Sequence, residues 1–202
     1  MVERIILASS SPRRKEILET LKIPFEVIPS EAEENIDMEM SPEKYVAELA
    51  VQKCTEVKNR LEAKGDDLSH TIIIGCDTIV CYSGMIIGKP PDDVHAALTL
   101  GVLSDSWHSV YSGLAIWYGD VCEARSARTD VKFRELSERE IWKYVESGEP
   151  MGKAGSYAIQ LAGASFAERI EGDFYNIVGF PVSLFVQMLK KFNIDICDIT
   201  EY

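Results

Sequence analysis

The stretch Ile5-Ile6-Leu7-Ala8-Ser9-Ser10-Ser11-Pro12-Arg13-Arg14 runs from a short apolar strand, Ile5 to Leu7, through a serine-rich loop into the start of a helix. Pro12 suits the first helical position, where a missing N–H costs nothing and the fixed φ is already helical. Arg13 and Arg14 oppose the macrodipole there, and an anion among them would account for their placement. Three serines add hydroxyls and backbone N–H groups, so the loop reads as a phosphate cradle. A plainer structure fits the same residues: a serine N-cap before a basic amphipathic helix with Ile17, Leu18 and Leu21 inward.

Outward from this stretch, strands and helices alternate. Phe25 to Pro29 reads as a strand. Ser41-Pro42-Glu43 starts a long helix with Ser41 as N-cap, an apolar stripe of Tyr45, Val46, Leu49, Ala50, Cys54 and Val57, and Lys53 near that face. Thr71 to Ile74 is a buried strand ending at Gly75-Cys76-Asp77-Thr78, and Ile79 to Ile87 a hairpin turning at Ser83-Gly84. Asp92 to Leu103 is helical; His108 to Tyr118 and Val121 to Phe133 form a hairpin about Gly119-Asp120. Ser137-Glu138-Arg139-Glu140 is a capping box opening a helix to Val145. Gly148 to Gly155 is a loop, Tyr157 to Ile159 and Phe166 to Ile170 are short strands, and Gly172 to Pro181 is a second loop before a last helix of Leu184, Phe185, Met188 and Leu189. The pattern predicts an α/β fold: a mixed, twisted sheet flanked by helices, in two lobes.

The chain has 202 residues, 46% hydrophobic and 27% charged, the make-up of an ordinary globular protein. Charges run through its first twenty residues, and no apolar run approaches the roughly 20 residues that span a bilayer, so a cytoplasmic protein without membrane contact is expected. Cys54, Cys76, Cys81, Cys122 and Cys197 are odd in number and lack CxxC spacing, which favours free thiols over disulfides or zinc. The formal charge of -12 argues against a broad nucleic-acid surface. It leaves room for a small anion held by focused basic residues, with a divalent cation to help.

Asp77, after the most hydrophobic strand, fits a metal ligand or base and equally an Asx turn or helix cap. Glu33 and Glu34 lie in an acidic run, Glu31 to Glu39, of the kind that is usually a solvated face. Lys89 occupies a proline-stiffened loop, Gly88-Lys89-Pro90-Pro91, that lacks the upstream glycine and following Ser or Thr of a P-loop, so a P-loop kinase or GTPase is excluded. His70, His95 and His108 show no paired spacing and read as structural or surface residues.

Taken together and in order, these stretches resemble the Maf family of nucleoside triphosphate pyrophosphatases along nearly the whole chain. The resemblance rests on Leu7 to Arg14; Gly75-Cys76-Asp77-Thr78-Ile79-Val80; Gly88-Lys89-Pro90; Gly148-Glu149-Pro150 with Lys153-Ala154-Gly155; Tyr157-Ala158-Ile159-Gln160; and Gly172-Asp173-Phe174-Tyr175-Asn176-Ile177-Val178-Gly179-Phe180-Pro181. It implies a single domain over residues 1–202 with an active cleft between its lobes, a homodimer, and hydrolysis of a nucleoside triphosphate to monophosphate and pyrophosphate with Mg²⁺ or Mn²⁺. The Tyr-x-Ile-Gln form is similar to the branch preferring dTTP and UTP, and modified pyrimidine nucleotides fit equally; the branch acting on 7-methyl-GTP has glutamate there. By the same resemblance, Asp77 is the proton acceptor and Arg13, Thr78 and Gln160 set substrate preference. Ser9, Arg14, Glu34, Lys53 and Lys89 match other polar positions of the cleft, with Asp77 or Glu34 holding the metal and the basic residues the phosphates. Gly152 departs from the family's usual Asp, and Leu161-Ala162 from its usual glycine, which bears on rate and selectivity. A regulator or scaffold that binds nucleotide with little turnover is the alternative; the presence of Asp77, Arg13 and Lys89 favours the enzyme.

Overall fold

A computed structural model describes residues 2–32 and 40–201. Glu33 and Glu34 lie outside the described residues. Strand β1 (Arg4–Leu7) pairs in parallel with β2 (Glu26–Val27) on one side and with β3 (Thr71–Tyr82) on the other, in a register that sets Leu7 opposite Ile74. The connections are helical, as parallel pairing requires: α1 (Pro12–Thr20) between β1 and β2, and α2 (Pro42–Glu62) before β3. Strand β4 (Met85–Ile87) folds back antiparallel on β3 through Ser83 and Gly84, whose φ of 48° and 79° match a tight two-residue turn. Helix α3 (Asp93–Leu103) leads to β5 (Trp107–Tyr118) and β6 (Val121–Phe133), then come α4 (Glu138–Val145) and β7 (Ala167–Glu171), which is antiparallel to β6. Helices α5 (Phe174–Val178) and α6 (Val182–Leu189) follow. The seven-stranded sheet runs β2-β1-β3-β5-β6-β7 with β4 off this path on β3, so the expected α/β class with a mixed sheet is the one that forms.

The chain divides into two compact units, one of residues 1–77, 112–127 and 179–202, the other of residues 78–111 and 128–178. In the first unit, Ala50, Cys54, Val57 and Leu61 of α2 pack on Ile6, Ile73 and Ala115 of the sheet. Two glycines let the helix come this close. A Cβ at Gly75 would stand 2.3 Å from Ala50 O, and one at Gly113 only 1.9 Å from Val46 O. Cys54, in the same contact, donates its thiol to Ile73 O and Ala115 O, each at 3.4 Å. In the second unit, α3 packs on α4 and on a 3-10 turn at Ala154–Ser156. Phe133 stands at its centre, edge to face with His108 and Tyr157 at 4.8 Å and with Phe166 at 5.8 Å.

Local signals hold where they are self-contained. The Ser137–Glu140 capping box forms, and Asp92 caps α3 by accepting from His95 N. Ser11 and Ser41 precede their helices without a side-chain capping bond. All five cysteines are free, with Cys54, Cys76 and Cys81 buried. Among the described residues no helix is long and apolar enough to cross a membrane.

Three expectations fail. Residues Tyr157 to Ile159 are not a strand: Tyr157 OH bonds His108 Nε2 at 2.8 Å and Ala158 N donates to the Tyr144 hydroxyl at 3.1 Å, so side chains hold this segment where a ladder would. The expected loop from Gly172 to Pro181 contains α5, ordered by buried Asn176, which donates to Val110 O and Thr129 Oγ1, both at 3.0 Å. Asp77 lies within β3, which continues without a break to Tyr82.

Removing the clearance on which α2 depends should be costly. Gly75→Ala and Gly113→Ala are each expected to lose at least about 1–3 kcal/mol, as overpacking does. Gly101→Ala, exposed in α3 with nothing within 4 Å, should gain about 0.5–1 kcal/mol from helix propensity alone. Urea melts of the three variants check both signs.

Candidate active site

The described candidate residues of the first unit come from four places: Ser9 follows β1, Arg13 and Arg14 open α1, Lys53 is on α2 and Asp77 is on β3, the parallel neighbour of β1. Ala8 N donates to Ile74 O at 2.8 Å, carrying the pairing one residue past β1 before the chain turns into the serine loop. Buried Ser9 is a hub of that loop: its Oγ accepts from Arg14 Nη1 at 2.8 Å and from Ser11 N at 3.3 Å. Arg14 also donates through Nε to Gly179 O at 2.9 Å, and the same carbonyl receives the Cys76 thiol at 3.2 Å. One backbone oxygen thus ties α1 to β3. Burial pushes the Cys76 thiol pKa up, which keeps it protonated and unreactive.

Gly75 has a second consequence on this strand. Because α2 lies against it, Lys53 reaches across and donates to Asp77 Oδ1 at 2.5 Å, with both side chains only 15% exposed. This charge-assisted bond fixes the carboxylate's orientation and occupies one of its oxygens. Arg13 is half-buried beside Arg14. Desolvation first and the Arg14 charge second pull its pKa below the usual arginine value, two strains that a bound anion would relieve. The structure therefore joins Ser9 with Arg14, and Lys53 with Asp77.

The remaining candidates belong to the second unit. Thr78 is half-buried on β3, next to Asp77 in the chain. Lys89 is exposed in the loop after β4, where Gly88 O accepts Gly155 N at 3.3 Å, and Gln160 is half-buried in a turn. Gly152 takes a φ of 72°, a left-handed conformation that Asp tolerates better than most residues, so the departure from the family's Asp removes a carboxylate while keeping a backbone both residues can adopt. His108 is buried and structural, as expected, whereas His70 and His95 are exposed.

Among the described residues no group of three or more His, Cys, Asp or Glu is placed to hold a metal. Asp77 nonetheless fits a hard divalent cation of the Mg²⁺ type, which commonly takes one or two carboxylates and completes its shell with substrate phosphates and water. The close contacts at Gly75 and Gly113 and the accepting role of the Gly179 carbonyl are not legible in the motifs. Gly75 inside an otherwise apolar strand was the available signal, since glycine there marks close backbone approach.

The family model described as Maf-like protein matches residues 4–192. A dTTP/UTP pyrophosphatase from Bacillus cereus (strain AH820) is 47% identical over 195 residues, covering 96% of this chain and 98% of the relative. Proteins with the same name from Bacillus thuringiensis subsp. konkukian (strain 97-27) and Bacillus anthracis match with the same identity and coverage. A looser likeness, to the Staphylococcus aureus Ham1 protein, has a TM-score of 0.39 and 14% identity over 65% of this chain and 72% of that one.

Two adjacent arginines should behave differently. Arg14→Ala removes two buried hydrogen bonds, leaving Ser9 Oγ with Ser11 N and Gly179 O with the Cys76 thiol, and should cost about 1–3 kcal/mol of stability. Arg13→Ala relieves a desolvated charge at a helix N-terminus and should leave stability equal or slightly higher. Thermal melts of both variants decide this. Desolvation also lowers His108 to a pKa of about 4. The unfolded chain takes up this proton near pH 6.5 and the folded one only near pH 4, so stability should fall by up to about 3 kcal/mol as pH drops through that window. In His108→Gln, unfolding free energy measured against pH should lose that slope.

Proposed function

The chain belongs to the Maf-like family, and we propose that it hydrolyses pyrimidine nucleoside triphosphates, dTTP, UTP and their modified analogues, to the monophosphate and pyrophosphate, clearing them from the nucleotide pool. The observation carrying this reading is the Lys53–Asp77 pair in the same unit as the Ser9–Arg14 loop, in a chain whose relatives are named dTTP/UTP pyrophosphatases. A protein that only bound nucleotide would have no use for an oriented carboxylate beside that loop.

In this reading Asp77 takes a proton from water as the water oxygen bonds to the α-phosphorus. The bridging bond to the β-phosphate breaks and its electrons leave with pyrophosphate. Lys53 holds Asp77 in line and adds positive charge. Arg13 forks onto phosphate oxygens, Lys89 adds a point charge, and Arg14 acts mainly by fixing Ser9 and the loop. Mg²⁺ or Mn²⁺, held by Asp77 or Glu34, would neutralise the polyphosphate and acidify water when bound. Gln160 offers an amide donor and acceptor that can meet O4 and N3–H of uracil or thymine, and Thr78 assists substrate preference.

Both units work as one domain over residues 1–202, acting in the cytoplasm without nucleic acid or membrane. The charge of -12 and the absence of a spanning helix among the described residues accord with this. The molecule is a homodimer: Val94, Leu98 and Val102 repeat every four residues along α3 and are 56%, 62% and 51% exposed, an apolar stripe suited to a second copy.

Assayed with a panel of nucleoside triphosphates and Mg²⁺ or Mn²⁺, the protein should release pyrophosphate from UTP and dTTP, and Asp77→Asn should lower kcat by about 10² to 10⁴ in a protein that still folds and melts cooperatively. Release of inorganic phosphate, or full activity in Asp77→Asn, would refute the assignment.

A further inference from the structure

Gln160 stands in a short turn that its own backbone closes weakly, through Leu161 N donating to Ala158 O at 3.2 Å. What precedes it is buried: Tyr157, Ala158 and Ile159 are 6%, 3% and 4% exposed. The two residues that follow, Leu161 and Ala162, are exposed and have no core to hold them.

Two side chains from outside the turn supply the missing restraint. Glu149 accepts three hydrogen bonds: Tyr144 OH at 2.8 Å and Gly163 N at 3.1 Å on Oε1, and Ala162 N at 3.3 Å on Oε2. The Tyr144 hydroxyl, while donating to Glu149, accepts Ala158 N at 3.1 Å. One carboxylate and one phenol thus clamp the backbone two residues before Gln160 and two and three residues after it. Gly163 closes the clamp tightly, because a Cβ there would stand 2.8 Å from Ala158 O and 2.9 Å from the Tyr144 hydroxyl oxygen. Burial first and the Glu149 carboxylate second push the Tyr144 pKa well above the usual phenol value, so the hydroxyl remains a donor at any working pH. Glu149 is in turn fixed, its amide donating to Ser147 Oγ at 3.2 Å and its carbonyl receiving Lys153 Nζ.

We propose that Glu149, acting with Tyr144, is a positioning residue for base selection: it holds the Gln160 amide where it discriminates among bases, without touching substrate itself. The inference rests on the reading of Gln160 as the base reader. Both oxygens of the Glu149 carboxylate are engaged by the clamp, and the backbone it grips flanks Gln160 on both sides. A positioning role differs from general stabilisation in what it moves. Losing the clamp blurs the choice between bases, whereas a merely structural loss lowers turnover of every nucleotide alike.

The test measures kcat and KM for UTP, dTTP, CTP and GTP in the full-length protein and in Gln160→Ala, Glu149→Ala, Glu149→Gln and Tyr144→Phe, with a melting curve for each. Glu149→Ala should narrow the UTP-to-GTP ratio of kcat/KM by about tenfold, mostly through the KM for UTP, the size expected when a hydrogen-bonded readout loses its geometry. Glu149→Gln keeps Oε1 and should retain most of the ratio. Tyr144→Phe, a single-atom deletion that serves if Glu149→Ala does not fold, should narrow it in the same direction. If Gln160→Ala narrows the ratio while Glu149→Ala, or failing that Tyr144→Phe, leaves it unchanged or lowers all four nucleotides proportionally, the positioning role is overturned alone. If Gln160→Ala leaves the ratio unchanged, the base-reader assignment is wrong and the positioning role falls with it.

Discussion

The close approach of α2 to the sheet, permitted only because Gly75 and Gly113 lack a Cβ, is the constraint on which the first unit depends. Carbonyl oxygens of Ala50 and Val46 occupy the space a side chain would need, so the helix sits at backbone distance from β3 and β5. Lys53 lies one helical turn beyond Ala50, and Asp77 lies two residues beyond Gly75. Any added side chain at Gly75 would lift the helix and draw the ammonium away from the carboxylate. Core packing and site geometry are one requirement here: the contact that buries Cys54 and Val57 is the contact that sets the Lys53–Asp77 bond.

The two units hold their polar groups in different ways. In the first, backbone proximity does most of the work, with Gly179 O collecting the Arg14 guanidinium and the Cys76 thiol. In the second, polar side chains stand in for secondary structure: Asn176 with Thr129 orders α5, His108 anchors Tyr157, and Glu149 with Tyr144 frames the Gln160 turn. Backbone packing thus fixes Asp77 in the first unit, while side-chain hydrogen bonds tether the Gln160 turn in the second. In this strongly negative chain Arg13, Arg14 and Lys53 all lie in the first unit.

Legibility in the sequence followed the range of each interaction. The Ser137–Glu140 capping box, the Gly119-Asp120 turn and the Pro12 and Pro42 helix starts depend on residues within four positions, and each was readable. The α/β class was readable for the same reason, since it is a sum of local periodicities. Tyr157 to Ile159 reads as a strand because aromatic and β-branched residues favour one, yet its partners are side chains 14 and 49 positions away. The α5 helix was hidden between Gly172 and Pro181, whose turn signals outweigh five residues of helical pattern. Of the site, the charged residues could be named through the family resemblance, but the pairing of Lys53 with Asp77 could not, because it depends on how near a helix lies to a strand.

Attack of water on the α-phosphorus is the step that distinguishes a pyrophosphatase from a phosphatase acting at the far end of the phosphate chain. Hydrolysis of UTP in heavy-oxygen water, with both products analysed by mass spectrometry, tests it most directly. Attack at the α-phosphorus puts the label in the nucleoside monophosphate and leaves pyrophosphate unlabelled. Label in pyrophosphate, or in free phosphate with a nucleoside diphosphate as co-product, would contradict it.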